Sequence, residues 1–440
     1  MKKIHIWCTL ITLLLLQTVW GQENLTLGQA WEIAVANNLN LQQQAQDLRS
    51  AETEVNIRKA DYLPAIAAGA SYNYVSELAR LEFPASIPGF PGQIEAGANN
   101  QYDLALNLRQ TLFSGFLIRN RVRAAESLAN AEQVRAEITR QQLLLQVGRL
   151  YYEIQSNLTR QAVLQEGIAR IDDHLRMVRN FFHAGQAAAF DTLEAANRKL
   201  EQQNQLKNLE NLQRILLTQF RFALNASGPV TVQPLNLAAA PQQPGVLDNF
   251  LNEALSRRPE MRYLELLGRA GEYRTGTARS RYFPQLAANA AWHYARPGVN
   301  FFRNEWMDYY TISLSMRWDI WNWGQDRRQV QQAHMAERKL DLQRQQLTLD
   351  IRQQVTEAYE LLDNARQQIL LQQRLVLQER ERYRITENQF NEGLVSNLDL
   401  SSAERTLSAA ELLLQDYYIQ WHRQRLQLSF ATGTIGEDNG

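Results

Sequence analysis

Apolar positions fall into two rhythms along this chain. In the first, Leu164, Ile168, Ile171, Leu175, Val178 and Phe182 recur at 4-3-4-3-4 spacing, the seam of a coiled coil. Leu143, Val147, Leu150 and Ile154 carry the same rhythm upstream, and Ile351, Val355, Ala358, Leu362, Ala365 and Ile369 carry it again downstream. No proline interrupts residues 114–183, so the pattern predicts one helix of about 65 residues, roughly 100 Å long. Helices of that length pack side by side and do not fold into a compact globule. In the second rhythm the alternation has period two. Leu104, Leu106, Leu108 and Leu112 alternate with Asn107, Arg109 and Thr111, and Ile312, Leu314, Met316, Trp318 and Ile320 with Ser313, Ser315, Arg317 and Asp319. Ala70, Tyr72 and Tyr74 alternate with Ser71 and Asn73, and Ala290, Trp292 and Tyr294 with Asn289 and His293. Runs of about ten residues with one apolar and one polar face suit strands of an outer-membrane barrel. A soluble sheet over the helices has the same alternation, so both readings stand on this pattern alone.

The two rhythms occur twice. Shifted by 220 residues, Ala34 meets Ala254, Tyr62 meets Tyr282, Pro64 meets Pro284, Ala70 meets Ala290 and Tyr74 meets Tyr294. Shifted by 208, Leu106 meets Leu314, Arg109 meets Arg317, Val147 meets Val355 and Tyr151 meets Tyr359. Phe182, Gly185 and Asp191 meet Phe390, Gly393 and Asp399 at the same shift. The change of 12 falls between Tyr74 and Leu104, where Pro84, Pro88, Gly89, Pro91 and Gly92 mark an exposed loop. The expected layout is a first repeat over 22–228, a linker over 229–245, a second repeat over 246–433 and a tail over 434–440. Within it, strands are expected near 65–76, 102–113, 285–296 and 310–321, and long helices over 114–184, 190–226, 323–389 and 397–432. A period above 200 residues makes this a duplicated domain and not a solenoid.

The N-terminus changes the picture. Lys2 and Lys3 precede an apolar run from Ile6 to Leu16, and Val19 and Gly21 supply small residues, so residues 1–21 read as a secretory signal. The run is short for a membrane-spanning helix, which takes ~20 apolar residues. The only cysteine, Cys8, lies in it, which leaves no disulfide scaffold and no thiolate site in the remainder. Forty-six basic residues balance 46 acidic ones, and this gives no reason to expect a nucleic-acid partner. The six histidines form no i, i+4 pair, and no phosphate-binding glycine loop or Gly-x-Ser-x-Gly elbow occurs. No cofactor, metal or catalytic group is expected. If the chain crosses a membrane it must do so with strands. Four strands cannot close a barrel, whose smallest usual size is about eight, so several copies must share one.

Several of these features together resemble the TolC-like outer-membrane efflux proteins. They are the signal, the duplicated order, Tyr62-Leu63-Pro64 and Tyr282-Phe283-Pro284 before the strands, and Phe113-Ser114-Gly115 before the long helix. The turns Phe182-x-x-Gly185-x5-Asp191 and Phe390-x-x-Gly393-x5-Asp399 complete the set. The resemblance implies an α+β membrane protein in which a homotrimer builds a 12-stranded outer-membrane β-barrel continuous with a periplasmic α-barrel. It implies a passive conduit for small molecules or secreted proteins, with a periplasmic adaptor and an inner-membrane pump as partners. The alternative is a soluble periplasmic coiled-coil scaffold. The resemblance makes Gly185, Asp191, Gly393 and Asn397 candidate adaptor contacts at the helical tips. It makes Asp399 a candidate for a ring at the periplasmic aperture. The family's second aperture aspartate is replaced here by Ser402, and the second turn lacks the basic residue often found there. Asp191 and Asp399 also suit helix N-terminal caps, and both readings of Asp399 remain open.

Overall fold

The structure, a computed structural model, describes residues 24–82, 93–235 and 241–437. The expected signal, most of the proline- and glycine-bearing loop and part of the expected linker lie outside them. In chain order the elements are β1 (Asn24–Leu25), α1 (Leu27–Asn37), α2 (Leu39–Ala60), β2 (Ala65–Tyr74), β3 (Ala79–Glu82), β4 (Gln93–Ala96), β5 (Asn100–Phe113), α3 (Leu117–His183) and α4 (Ala189–Ala223). They continue with β6 (Thr231–Val232), α5 (Leu247–Arg257), α6 (Pro259–Arg279), β7 (Gln285–Arg296), β8 (Met307–Arg317), α7 (Gln325–Asn391) and α8 (Asn397–Thr432). The chain divides into two compact units: residues 1–43, 135–261 and 346–440, and residues 44–134 and 262–345.

The first unit is helical. The coiled-coil rhythm makes its seams: Leu143, Val147, Ile154, Leu164, Ile171, Leu175 and Val178 are buried along α3, and Ile351, Val355, Ala358, Leu362, Ala365 and Ile369 along α7. One cluster gathers Trp31, Val147, Tyr151, Ile154, Phe220 and Leu426, and the Trp31 indole Nε1 donates to the Leu144 carbonyl at 2.9 Å. A second gathers Ile351, Val355, Leu362, Ala254 and Leu428. The seam departs from expectation at its end. Phe182 is 41% exposed, and Phe181 turns inward instead, its ring 5.5 Å from that of Phe390. A 3.6-residue helix drifts from a 3.5-residue repeat, and the inward position moves by one residue before the turn.

The period-two rhythm could not reveal a short parallel ribbon in this unit, in which Asn24 pairs with Thr231 and Leu25 with Val232. Gln155 holds the chain beyond it: Nε2 donates to the Gln233 carbonyl at 2.6 Å and Oε1 accepts the Leu235 N–H at 3.1 Å. Part of the segment read as a linker therefore follows a fixed course. Ile435, in the segment read as a tail, is buried in the first cluster.

The second unit carries a four-stranded antiparallel sheet in the order β2-β5-β7-β8, formed by the four alternating runs. The two hairpins keep identical registers under the sequence shifts. Ala70 pairs with Leu104 in the first, and Ala290 pairs with Ile312 in the second. The long helices begin a few residues later than the pattern suggests. Gly115 and Phe116, at φ 61° and 69°, and Trp323 and Gly324, at 55° and 74°, are left-handed, which a right-handed helix cannot accommodate. β8 ends at Arg317, opposite the first residue of β7, Gln285, so residues 318–321 have no strand beside them.

Candidate channel wall and helix-turn tips

Through the middle of the sheet one face is apolar across all four strands. The register aligns Ile66, Leu108, Ala290 and Ile312 in one row and Ala68, Leu106, Trp292 and Tyr310 in the next. This apolar face lies open: Ile312 is 77% exposed and Leu314 68%. Contiguous apolar surface of this kind marks a membrane or protein contact. The opposite face carries Ser71, Asp103, Asn107, Asn289, His293, Ser313 and Ser315. There the His293 Nδ1 lies 3.0 Å from Asp103 Oδ1, and the Asn289 Nδ2 donates to Ser315 Oγ at 3.2 Å. A sheet apolar on one side and hydrogen-bonding on the other suits a barrel between lipid and water. Among the described residues no helix is long and apolar enough to cross a membrane.

The helix turns of the first unit are built alike. Gly185 and Gly393 have φ of 75° and 73°, the left-handed conformation that closes a helix and that glycine adopts at no steric cost. In each turn the glycine N–H returns to the carbonyl three residues back at 3.0 Å, Gly185 to Phe182 and Gly393 to Phe390. The next N–H reaches five residues back at 2.8 Å, Gln186 to Phe181 and Leu394 to Gln389. Asp191 and Asp399 both stand at the third position of the following helix. Asp191 Oδ2 accepts the Ala188 N–H at 3.0 Å, and Asp399 Oδ2 accepts the Ser396 N–H at 3.0 Å. Ser396 answers as a true cap, its Oγ accepting the Asp399 N–H at 3.2 Å, where Ala188 has no side chain to do so. The bond from the Ser396 hydroxyl, with that from its N–H, holds the exposed Asp399 carboxyl below its usual value. Asn397 is only 8% exposed, and its Nδ2 donates to Glu194 Oε2 at 3.1 Å, so its amide faces the neighbouring helix.

The sequence reading missed a charged cluster in this unit. Glu404, 3% exposed, is ion-paired to Arg198, which also donates to the Ser401 carbonyl at 2.7 Å. Ser408 Oγ donates to Glu404 Oε1 at 2.7 Å, Arg170 donates to Glu411 Oε2 at 2.9 Å, and Arg380 to Glu411 Oε1 at 2.9 Å. α3, α4, α7 and α8 each contribute to the cluster. A signal was present: Leu400, Glu404, Leu407 and Glu411 follow the 4-3-4 spacing of a seam, with acids at two inward positions.

The outer membrane efflux protein family model matches residues 31–226 and 250–434. The chain belongs to that family. One matched block falls on each copy of the duplicated unit. Among its relatives is the probable efflux pump outer membrane protein TtgC of Pseudomonas putida, 22% identical over 400 residues, covering 88% of this chain and 78% of that one. Another is the pyoverdine export outer membrane protein OpmQ of Pseudomonas aeruginosa, 26% identical over 321 residues, covering 70% and 63%. The fold matches the MtrE outer membrane channel of Neisseria gonorrhoeae with a TM-score of 0.75 at 17% identity, over 94% of this chain and 90% of that one. It matches the channel protein CusC with a TM-score of 0.78 at 17% identity, over 92% of each chain. The chain is thus an outer-membrane efflux protein reaching into the periplasm, and the soluble scaffold reading falls away.

Proposed function

We propose that three copies of this chain form one passive export conduit, a 12-stranded barrel in the outer membrane joined to a periplasmic helical tunnel. It serves a tripartite efflux or type I secretion system, carries out no chemistry of its own and takes its energy from an inner-membrane pump. The observation that carries the reading is the sheet: four strands, an open apolar face and no strand outside β2 or β8 among the described residues. Unpaired strand edges are not tolerated in lipid, so the barrel must be completed by further copies. A periplasmic adaptor docks on the turns at Gly185 and Gly393, where Asp191 shapes one turn and the inward Asn397 braces the other against Glu194. Asp399, exposed and held ionised, contributes one carboxylate per copy to the aperture ring as well as capping α8.

Sedimentation of detergent-extracted protein checks the assembly: a mass of three chains is expected, and a monomer contradicts it. For the aperture, Asp399→Asn should weaken block of the open pore by divalent cations several-fold. Unchanged block would remove Asp399 from the ring and leave it a cap.

A further inference from the structure

The charged residues of the sheet unit are sorted by end. All four strands meet helices at one end: β2 and β7 begin there, and β5 and β8 finish there. The register sets Ala65 against Arg109, Phe113 against Leu286 and Gln285 against Arg317. The junction segments at that end, residues 56–64, 114–125, 272–284 and 318–330, hold ten basic and four acidic residues. The segments that leave the opposite end, residues 75–99 and 297–306, hold two basic and four acidic ones. A chain with no net charge has thus concentrated positive charge in one belt, where the helices begin and the periplasm meets the membrane.

Some members of the belt have partners that account for them. Arg58 and Lys59 pair with Glu54 and Glu126, and Arg281 stands 3.7 Å from Asp326. Arg119, Arg123, Arg327 and Arg328 differ: all four are exposed, and none has a carboxylate within ion-pair distance among the described residues. Arg119, Arg327 and Arg328 lie in the first turn of α3 and α7, where the positive end of the helix dipole disfavours a cation. Helix stability therefore gives no account of them. Arg119 and Arg327 are one position in the two copies, related by the shift of 208.

Their neighbours tie these arginines to the apolar face of the sheet. The Arg119 guanidinium lies over the Phe116 ring at 4.6 Å, and that ring meets Phe113 at 5.6 Å and Phe283 at 5.9 Å. Phe113 stands opposite Leu286, which shares its strand face with Ala290 and Trp292. Arg123, one turn further along α3, lies over the Tyr273 ring at 5.9 Å. In the second copy Trp321 and Trp323 take the aromatic place, with rings 5.8 Å apart and exposures of 75% and 82%. Apolar strand, aromatic rings, then guanidinium groups is the order of chemistry met on leaving a bilayer: rings settle at the headgroup level, and arginine binds phosphate in a fork.

We propose that this belt binds the anionic phospholipid headgroups of the periplasmic leaflet, with Arg119 and Arg123 in the first copy and Arg327 and Arg328 in the second taking the phosphates. The inference goes beyond the proposed conduit, because it concerns the lipid around the barrel and holds for any number of copies in it. Lipid is favoured over an acidic protein surface on two grounds. The arginines border the apolar sheet face, away from the helix-turn tips, and each copy of the duplicated unit carries its own, which spreads the charge around the wall as a leaflet would meet it.

Electron spin resonance of spin-labelled lipids tests this, with the full-length protein reconstituted in phosphatidylcholine vesicles. Lipid against the protein is motionally restricted, and the restricted fractions of labelled phosphatidylglycerol and labelled phosphatidylcholine give their relative association. The parent protein should hold phosphatidylglycerol several-fold more strongly. Salt at about 1 M, which shortens the screening length to roughly 3 Å, should remove most of that preference. Equal association of the two lipids at low salt would overturn the proposal and leave the belt to a protein surface. Arg119→Gln, Arg123→Gln, Arg327→Gln and Arg328→Gln together should bring the ratio close to unity, and an unchanged ratio in inserted protein would overturn the assignment to these residues. The same four positions changed to Lys keep the charge and should keep most of the preference, which separates lost charge from lost fold. Channel recording from the same vesicles reads the conduit separately: a lipid preference without conduction would leave this inference standing while the conduit falls.

Discussion

The two copies of the duplicated unit have aged differently in the two compact units. Over the paired residues of the two hairpins they remain equivalent, with the same register and the same side-chain bond to the strand-entry carbonyl. In the helices they have diverged. Phe390 is buried and its counterpart Phe182 is exposed. Glu404 and Glu411 lie inside the charged cluster, and their counterparts in α4 are Ala196 and Gln203. Ser396 caps α8, and Ala188 at the same place in α4 cannot. A strand in a shared wall has its register fixed by neighbours on both sides, and a single slip turns every side chain to the wrong medium. A helix turn meets no such constraint and can take on separate tasks in each copy.

Substitutions in both units probe that difference. Glu404→Ala removes the buried partner of Arg198 and leaves an uncompensated charge inside the helices, at a cost of about 3–5 kcal/mol. Gln203→Ala, at the exposed counterpart of Glu411, should change stability by less than about 0.5 kcal/mol. Denaturant titration of the detergent-extracted protein compares them, and equal losses would mean the copies are still alike there.

On the sheet, Leu314→Arg places a charge on the apolar face and should cost about 2–4 kcal/mol in a bilayer if it lies near the midplane. Ser315→Arg, its neighbour on the polar face, should fold and insert normally. Folding yield into vesicles separates the two, and equal tolerance would deny that the faces meet different media.

His422 lies stacked 5.5 Å from Tyr152, and burial, with the Arg425 charge second, pushes it down to about 4. The unfolded chain therefore binds a proton that the folded one resists between pH 6.5 and about 4, and stability falls as pH drops through that window. A difference of that size is at most about 3 kcal/mol at 1.36 kcal/mol per unit. His422→Phe keeps an aromatic ring and should flatten the loss of thermal stability between pH 7 and 4.5; an unchanged slope would place the titration elsewhere.

The smallest change belongs to the cap. Ser396→Ala removes the acceptor for the Asp399 N–H and should cost about 1 kcal/mol, bringing α8 to the state in which α4 already stands. Thermal melting of this variant against the parent checks it.

The long seams, the four strands and the duplication were legible because burial against a fixed partner imposes a period, and a period survives in one sequence. Gly185, Gly393 and the acids that follow them were legible as turn chemistry, since few residues can take those positions. The cluster around Glu404 was hidden because an acid among arginines on a helix ordinarily marks a solvated face. The β1–β6 ribbon was hidden because two residues cannot show alternation. The end of β8 differed because the alternation runs on through Trp318 and Ile320 past the last residue that β7 pairs, Arg317. Phe182 was misassigned because a 3.6-residue helix drifts from a 3.5-residue repeat, and by the end of α3 the inward place has passed to Phe181.

Planar-bilayer recording from gel-filtered, detergent-extracted protein tests the central claim most directly. The account predicts long-lived single channels of uniform conductance from the fraction whose mass corresponds to three chains. Protein of that mass that inserts and conducts nothing would contradict it.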